Sequence, residues 1–563
     1  MSAVSRLQAI LSNSLKLWLL LWAGVILLYL PAWKGGFQQD FHGWLMMYTD
    51  LPFWDVIDRK GTGIHSFYQL TQLQLYIWTW LFGTHQLPWF LLFTALHALN
   101  GFLLFRLCRR LFADFSLPSG EWVALAGTLI FLFNPGMTEA VVWKACYHYH
   151  IALQIVLWVL IWAQRYLHDR RAMWAWLAAG LFLLSTLTLE IWFTIPWLVL
   201  VLGAAYRRGG RISPTSFRRL LQAFFLPMMG IFAGYLLLYH LRYGVWLAHG
   251  AYETSGEATL LKLAGRIWSY EAHLLGAARF WPHAAREWLY RSLADGRLGQ
   301  ITVLVLLGAF AAYAFVRFPK AGPRLRMTAL LGACSLLGLI VVLHYGPEEL
   351  FYVSNDRYLY FTAAFQAMLV AIICSALLPR RPSLWKGLTA FLLLASISLT
   401  TVLVWTWRTA TKEFWGIQYN YRWDDAPLVL LLNIPCNHNG IGIIQANPNE
   451  ELGDHLRIFY GRKPKGKIVD VAAYNMEHAH DGAHVGVLDS LHLKVTLNQW
   501  GTWWWYVGRG MPEYENEYYS VRYDPDGLSY ILSLKQRPAG MVILFSQGMH
   551  WREVDMQKKG EQW

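Results

Sequence analysis

From residue 17 to residue 406 apolar stretches alternate with short polar connectors, and the stretches are close to the length that spans a bilayer. A hydrocarbon core of about 30 Å takes about 20 apolar residues in helical form. Such runs lie near residues 17–33, 88–107, 121–134, 151–166, 172–189, 191–206, 220–241, 299–316, 327–344, 358–379 and 387–406. The pattern therefore predicts about eleven transmembrane helices, the third and sixth short, with room for one re-entrant hairpin. After residue 406 the pattern changes. "APLVLLLNIPC", "GIGIIQANP", "HLRIFYG", "GKIVDVAAY", "LHLKVTL" and "GMVILFSQG" are short β-branched or alternating runs broken by Gly, Pro and Asn. They predict a small β-rich or α+β domain over residues 412–563, following a membrane domain over residues 1–411. These runs are too apolar for a disordered tail.

Composition supports this division. The 563 residues are 56% hydrophobic, 16% aromatic and only 15% charged. A mean hydropathy of +0.30 is too high for soluble cores to absorb, which makes the chain an integral membrane protein. Lys and Arg gather on cytoplasmic loops. Here they occupy alternate connectors: Arg106, Arg109 and Arg110; Arg165, Arg170 and Arg171; Arg207, Arg208, Arg211, Arg218 and Arg219; Arg317, Lys320, Arg324 and Arg326; Arg380, Arg381 and Lys386. The connector over 242–298 also carries arginines, but long translocated loops follow the rule weakly. The N-terminus is thus expected inside, and the 34–87 loop and everything after residue 406 outside.

The net charge of +13 reflects orientation, and no nucleic-acid module accompanies it. The five cysteines, Cys108, Cys146, Cys334, Cys374 and Cys436, lack paired or CxxC spacing. The first apolar run has no small-residue cleavage site and reads as a retained helix. No N-x-[ST] sequon occurs, which favours a bacterial inner membrane with a periplasmic C-terminal domain.

The outside loops carry the candidate chemistry. The stretch "KGGFQQDFHGWLMM" places Asp40 among Phe37, Phe41 and Trp44 a few residues after the first helix. A partly desolvated carboxylate there suits a general base, and an interfacial acid beside an aromatic belt is the alternative. The loop "FNPGMTEAVVWKACYHYHIALQ" holds Glu139, Lys144, Tyr147, His148 and His150. The two histidines, two positions apart, point to different faces of a helix, so hydrogen bonding to a polyhydroxyl ligand or interfacial anchoring fits better than metal binding. Glu190 lies at the apex of "STLTLEIWFTIPW", where it is either a functional acid or a solvated turn residue. Arg357 in "SNDRYLYFTAAF" suits a phosphate through its planar fork, or pairs locally with Asp356.

Four segments in order resemble a known family. "WTWLFGTHQLPWFLLFTALHALNGFLLFRL" is similar to the "LFG" plus "LLHALNALL" region of the polytopic O-mannosyltransferase-like glycosyltransferases, a group that includes members with tetratricopeptide repeats. "LFNPGMTEAVVWKACYHYHIALQIVLWVL" resembles their "HPVHTEAVAW" loop, "LLSTLTLEIWFTIPWLVLV" their "LLSKE" and "TLPLLLLL" segment, and "NDRYLYFTAAFQAMLVA" their "ERYLYLPSIGFALL". The repeats themselves are missing, and the β-rich tail stands in their place.

This resemblance implies a GT-C fold, a long first exoplasmic loop with an acidic catalytic residue, and a polyprenyl-phosphate-linked sugar donor. It makes Asp40 the base for a hydroxyl acceptor on a protein, lipid or glycan, with in-line, inverting transfer. Glu139, Glu190 and Arg357 match family positions, and His65, Tyr147, His148 and His150 stand beside them as substrate-binding candidates. No certain cofactor is implied, and a divalent metal is left open but not predicted. The departures are Gln39 where relatives carry a second acid, "HSFYQL" in place of an "RPL" element, "LTLE" for "LSKE", and "YHYH" for an Arg- or Lys-containing stretch. They leave the donor sugar open, and with it a noncatalytic reading as a flippase or scaffold for lipid-linked glycans. Ionisable groups gathered at the outside mouth favour surface chemistry over transport.

Overall fold

The computed structural model describes residue 11 and residues 13–558, apart from 39, 59–66, 189, 247–259, 276, 283, 286–287, 289–290, 293–295, 344–355, 445–450, 479, 498–502, 505–512 and 525–527. By internal contacts the chain forms two units. One comprises Met1–Leu30 and Pro52–Leu403, the other Pro31–Leu51 and Val404–Trp563. The units do not follow a single cut in the chain, because the segment that carries Asp40 belongs with the C-terminal part.

The first unit is helical. Each apolar run of the sequence coincides with a helix, but among the described residues only seven are long and apolar enough to cross a membrane, or eight if a bent pair counts as one span. The seven are Ser14–Ala32, Gln86–Asp114, Lys144–Asp169, Pro214–Tyr243, Pro323–Ile340, Asp356–Leu377 and Pro382–Tyr419. The bent pair, Gly120–Leu132 with Pro135–Val142, turns by 56°. Ala172–Ser185 and Arg297–Tyr313 are apolar but shorter, and with the bent pair they bring the described helices to ten; the remaining expected run, 191–206, forms the 14-residue helix Ile195–Arg208.

Burial grades the helices. In the most apolar 18-residue stretches of Gln86–Asp114, Lys144–Asp169 and Asp356–Leu377, 61%, 72% and 72% of the residues are buried, against 22% in that of Pro214–Tyr243. Outer helices turn Leu27, Leu237, Leu238 and Leu241 to the surface, the outward apolar display that a lipid-facing helix requires. Between inner helices small residues permit close approach. A Cβ on Gly127 would stand 3.0 Å from the Met368 Cα, as expected where helices pack without a hydrophobic driving force.

In the second unit the described C-terminal residues form thirteen strands: β1 Leu428–Leu431, β2 Ile434–His438, β3 Ile441–Gly442, β4 Lys467–Asp470, β5 Ala473–Met476, β6 Ala483–Val487, β7 His492–Leu497, β8 Trp503–Trp504, β9 Glu513–Glu515, β10 Tyr519–Tyr523, β11 Ser529–Leu534, β12 Met541–Gln547 and β13 His550–Glu553. They make three sheets with orders β13-β12-β1-β4, β6-β7-β11-β10-β9 and β3-β2-β5-β8. β1 pairs in parallel with both β12 and β4, and its four residues are all buried, the continuous apolar run expected of a strand covered on both faces. Tyr530 donates to the Leu432 carbonyl at 2.5 Å and Tyr519 to the Asp470 carbonyl at 2.8 Å, tying the second sheet to the first.

One segment departs from the strand reading. "HLRIFYG" lies in and just after a helix, Glu451–Tyr460. Its buried Leu452, His455 and Leu456 recur at three- and four-residue spacing, which outweighs the β-branched content of a short run.

Candidate active site

The bend after Leu132 builds the first wall of the site. In "NPGMTEA", Asn134 caps the Gly136 N–H at 2.8 Å, and a 3-10 turn at Pro135–Met137 leads into the short helix Thr138–Val142. Proline at the head of a new turn is favourable because its missing N–H needs no partner there. The new helix carries Glu139 inward, where it is buried. A second turn, Asp356–Leu359, precedes helix Tyr360–Cys374 and carries Arg357.

Arg357 and Glu139 form a two-point ion pair. Arg357 Nη1 donates to Glu139 Oε1 at 2.6 Å, and the Arg357 backbone N–H donates to Oε2 at 3.0 Å. The guanidinium lies 4.9 Å from the centroid of the Trp143 ring and 4.6 Å from that of Tyr358. Aromatic faces of this kind attract a cation and fix its plane. The local pairing of Arg357 with Asp356 does not form. Asp356 instead accepts from His273 Nε2 at 2.6 Å and from Arg279 Nη1 at 2.5 Å. Both partners come from the 242–298 connector, so two carboxylates and two guanidiniums meet with their charges matched.

A chain of contacts leads from this pair to Glu190. Tyr358 packs edge-on against Tyr149 and His148 edge-on against Tyr68, both at a centroid distance of 6.3 Å, and the Tyr149 and His148 rings lie tilted at 4.6 Å. The Tyr68 hydroxyl donates to Glu190 Oε2 at 2.5 Å. The structure thus connects Glu139, His148, Glu190 and Arg357.

Tyr147 and His150 stand deeper. Tyr147 accepts from Trp78 Nε1 at 2.9 Å. His150 bridges the Ala140 carbonyl at 2.8 Å and the Tyr360 hydroxyl at 2.9 Å, and Tyr360 also meets His97 and Asn100. Both side chains are buried in helix packing. His65 lies outside the described residues.

Asp40 belongs to the second unit. It opens helix Asp40–Asp50, where a carboxylate in the first turn meets the positive end of the helix dipole. Asp40 is exposed at the protein surface, while Phe37 and Phe41 on either side turn inward and are fully buried. Phe37 packs against Phe41, Trp415 and Phe459 at 5.6, 6.1 and 6.0 Å. Gln38 donates to Thr411 at 3.2 Å and Trp415 to the Lys34 carbonyl at 3.2 Å. His42 and His455 meet edge to face at 3.9 Å, both buried. The acid is therefore displayed by a segment whose apolar side chains are sunk into the C-terminal unit.

Sequence reasoning missed His273, Arg279 and Tyr68 as partners of the site acids. The first two lie in a connector with no motif, and only the fold brings them to Asp356. Among the described residues no group of three or more His, Cys, Asp or Glu is arranged to hold a metal ion.

No protein-family model and no curated protein sequence matches the chain. Among solved structures, the crystal structure of ArnT from Cupriavidus metallidurans bound to undecaprenyl phosphate aligns with 81% of this chain and 92% of its own, at 13% identity and a TM-score of 0.32. A likeness of that size fixes neither fold nor activity.

Proposed function

We propose that this chain is a GT-C-type membrane glycosyltransferase that moves a sugar from a polyprenyl-phosphate donor to a hydroxyl on a protein, lipid or glycan at the extracytoplasmic face. The N-terminus is cytoplasmic and the domain after residue 412 periplasmic. The observation that carries this reading is the meeting of three separated motifs, "TEAVVW", "LTLE" and "NDRYLYF", in the contact chain from Glu139 through Arg357 and His148 to Glu190.

In the proposed step the acceptor oxygen bonds to the anomeric carbon while the carbon–oxygen bond to phosphate breaks. The acceptor proton passes to the Asp40 carboxylate, the electron pair leaves with the polyprenyl phosphate, and the anomeric configuration inverts. Arg357, held in plane by Glu139, Trp143 and Tyr358, receives the donor phosphate, and Glu190, oriented by Tyr68, takes sugar hydroxyls. Exposure of Asp40 is compatible with this role, because an acceptor must reach it.

The test is release of polyprenyl phosphate from a labelled polyprenyl-phosphate sugar by purified protein with a hydroxyl acceptor. Transfer is expected to survive metal chelation. Arg357→Lys replaces a bidentate fork by a point charge and should weaken donor binding more than acceptor binding; unchanged donor affinity contradicts the assignment. Donor that binds but is never consumed by wild type would favour the noncatalytic flippase or scaffold.

A further inference from the structure

The opposite ends of the inner helices hold a cavity of about 320 Å³ that the proposed reaction does not use. It is lined by Arg110 and Asp114 at the end of helix Gln86–Asp114 and by Gln164, Arg165, His168 and Asp169 at the end of helix Tyr147–Asp169. These are the ends at which arginines gather, on the face proposed above to be cytoplasmic.

Orientation alone requires arginines near these ends but not a mixed-charge cavity between them. Among the described residues neither Arg110 nor Arg165 has a hydrogen-bond acceptor. Arg165 stacks on Trp174 at 4.6 Å, and Arg110 is repelled by Arg165, Arg106 and Arg109 and attracted by Asp114. Both guanidiniums are half-buried, so they carry donors that a phosphate would satisfy.

The acids are committed unequally. Asp169 accepts from Trp174 Nε1 at 3.0 and 2.9 Å and from the Arg171 N–H at 3.1 Å, which engages both oxygens. Asp114 takes Gln164 at 2.7 Å, His168 at 3.0 Å and the Tyr206 hydroxyl, all on Oδ2. Among the described residues its Oδ1 has no donor. The cavity thus presents two guanidiniums for an anion beside one carboxylate oxygen for a cation that carries N–H groups.

We infer that this cavity binds a phospholipid headgroup containing both a phosphate and a primary ammonium, the phosphate on Arg110 and Arg165 and the ammonium on Asp114. A basic pocket between helix ends is a recurring form of headgroup site. The carboxylate adds discrimination, because a primary ammonium donates hydrogen bonds that a choline group lacks and a glycerol headgroup brings no cation. The inference does not depend on the proposed glycosyl transfer.

The test reconstitutes the full-length protein in nanodiscs of equimolar phosphatidylethanolamine, phosphatidylglycerol and phosphatidylcholine and identifies the retained lipid by native mass spectrometry. Phosphatidylethanolamine is expected to be enriched about tenfold or more over phosphatidylcholine, the order given by one charge-assisted hydrogen bond. Arg110→Gln with Arg165→Gln should abolish the enrichment, and Arg165→Lys should retain part of it. Asp114→Asn should keep phosphate lipids bound while erasing the preference over phosphatidylglycerol. Equal retention of the three lipids, or a preference for phosphatidylglycerol by wild type, overturns the inference. So does displacement of the lipid by inorganic phosphate as readily as by phosphoethanolamine, which would mark a free-phosphate site. The wild-type ranking decides the matter even if a variant fails to fold.

Discussion

Arg357 and Glu139 are 218 positions apart, yet Arg357 donates to both carboxylate oxygens of Glu139, from its guanidinium at 2.6 Å and from its own backbone at 3.0 Å. The pair is largely buried, with side-chain exposures of 18% and 5%. Removing one partner of such a pair leaves an uncompensated charge and costs about 3–5 kcal/mol, whereas removing both costs less than the sum. Glu139→Ala is expected to lower stability in detergent by an amount in that range. A double-mutant cycle with Arg357→Ala checks the coupling, and additive effects would show the two groups to be independent.

Tyr68 and Glu190 make a second testable pair. The hydroxyl-to-carboxylate bond of 2.5 Å is charge-assisted, and such bonds contribute about 1.5–3 kcal/mol. Tyr68→Phe keeps the ring contact with His148 and removes this hydrogen bond to the acid. Transfer should fall by roughly tenfold or more with folding intact. A change in kcat and KM measured with a polyprenyl-phosphate sugar is the readout, and unaltered constants would remove Glu190 from the site.

Much of this arrangement was legible in the sequence, and the limits were physical. Apolar runs located the helices because a span needs a fixed length, but the bend at Asn134–Pro135 left the following segment too short to stand as a span. The motif residues Glu139, Glu190 and Arg357 stood out because an acid or guanidinium at a helix mouth is costly without a role. Their partners did not. Whether Arg357 pairs with Asp356 or Glu139 depends on where His273 and Arg279 fall, and pairings that distant follow from packing. The inward turn of Phe37 and Phe41, which leaves Asp40 exposed, was hidden for the same reason: Trp415 and Phe459 lie over 370 positions away.

The anchoring of the Asp40 segment gives a stability prediction. Phe37 is fully buried among Phe41, Trp415 and Phe459, and truncating such a side chain costs about 3–5 kcal/mol. Phe37→Ala should expose the 31–51 segment to protease and lower transfer without weakening donor binding. By contrast, Asp50 and Arg457 pair at 2.8 Å near the surface, where such pairs contribute about 0–1 kcal/mol; Arg457→Gln should be nearly silent in the same assay. Deleting the chain after residue 411 removes Trp415 and Phe459 together and is expected to abolish transfer through the Asp40 segment.

The His42–His455 contact makes that anchoring sensitive to acid. Burial, with repulsion from Arg457, holds His42 down at about 4 instead of 6.5, and burial beside His42 holds His455 well below its ordinary value. Above 6.5 both states are neutral and nothing is lost. As pH falls from 6.5 toward 4, the opened segment takes up protons that the docked segment refuses, so docking weakens by up to about 1.4 kcal/mol per pH unit for each histidine. Protease cleavage within 31–51 should therefore rise across that window. His455→Phe, which keeps an aromatic edge and removes one titrating group, should flatten the rise; an identical pH profile would show that the pair does not control docking.

The central claim is that Asp40 takes the acceptor proton. Asp40→Asn preserves shape and removes basicity, and losing a general base typically lowers a rate by about 10²–10⁴. The decisive measurement is single-turnover transfer from a labelled polyprenyl-phosphate sugar by purified Asp40→Asn protein, with donor affinity measured in parallel. The account predicts unchanged donor binding and a transfer rate at least about a hundredfold lower, and transfer at the wild-type rate would contradict it.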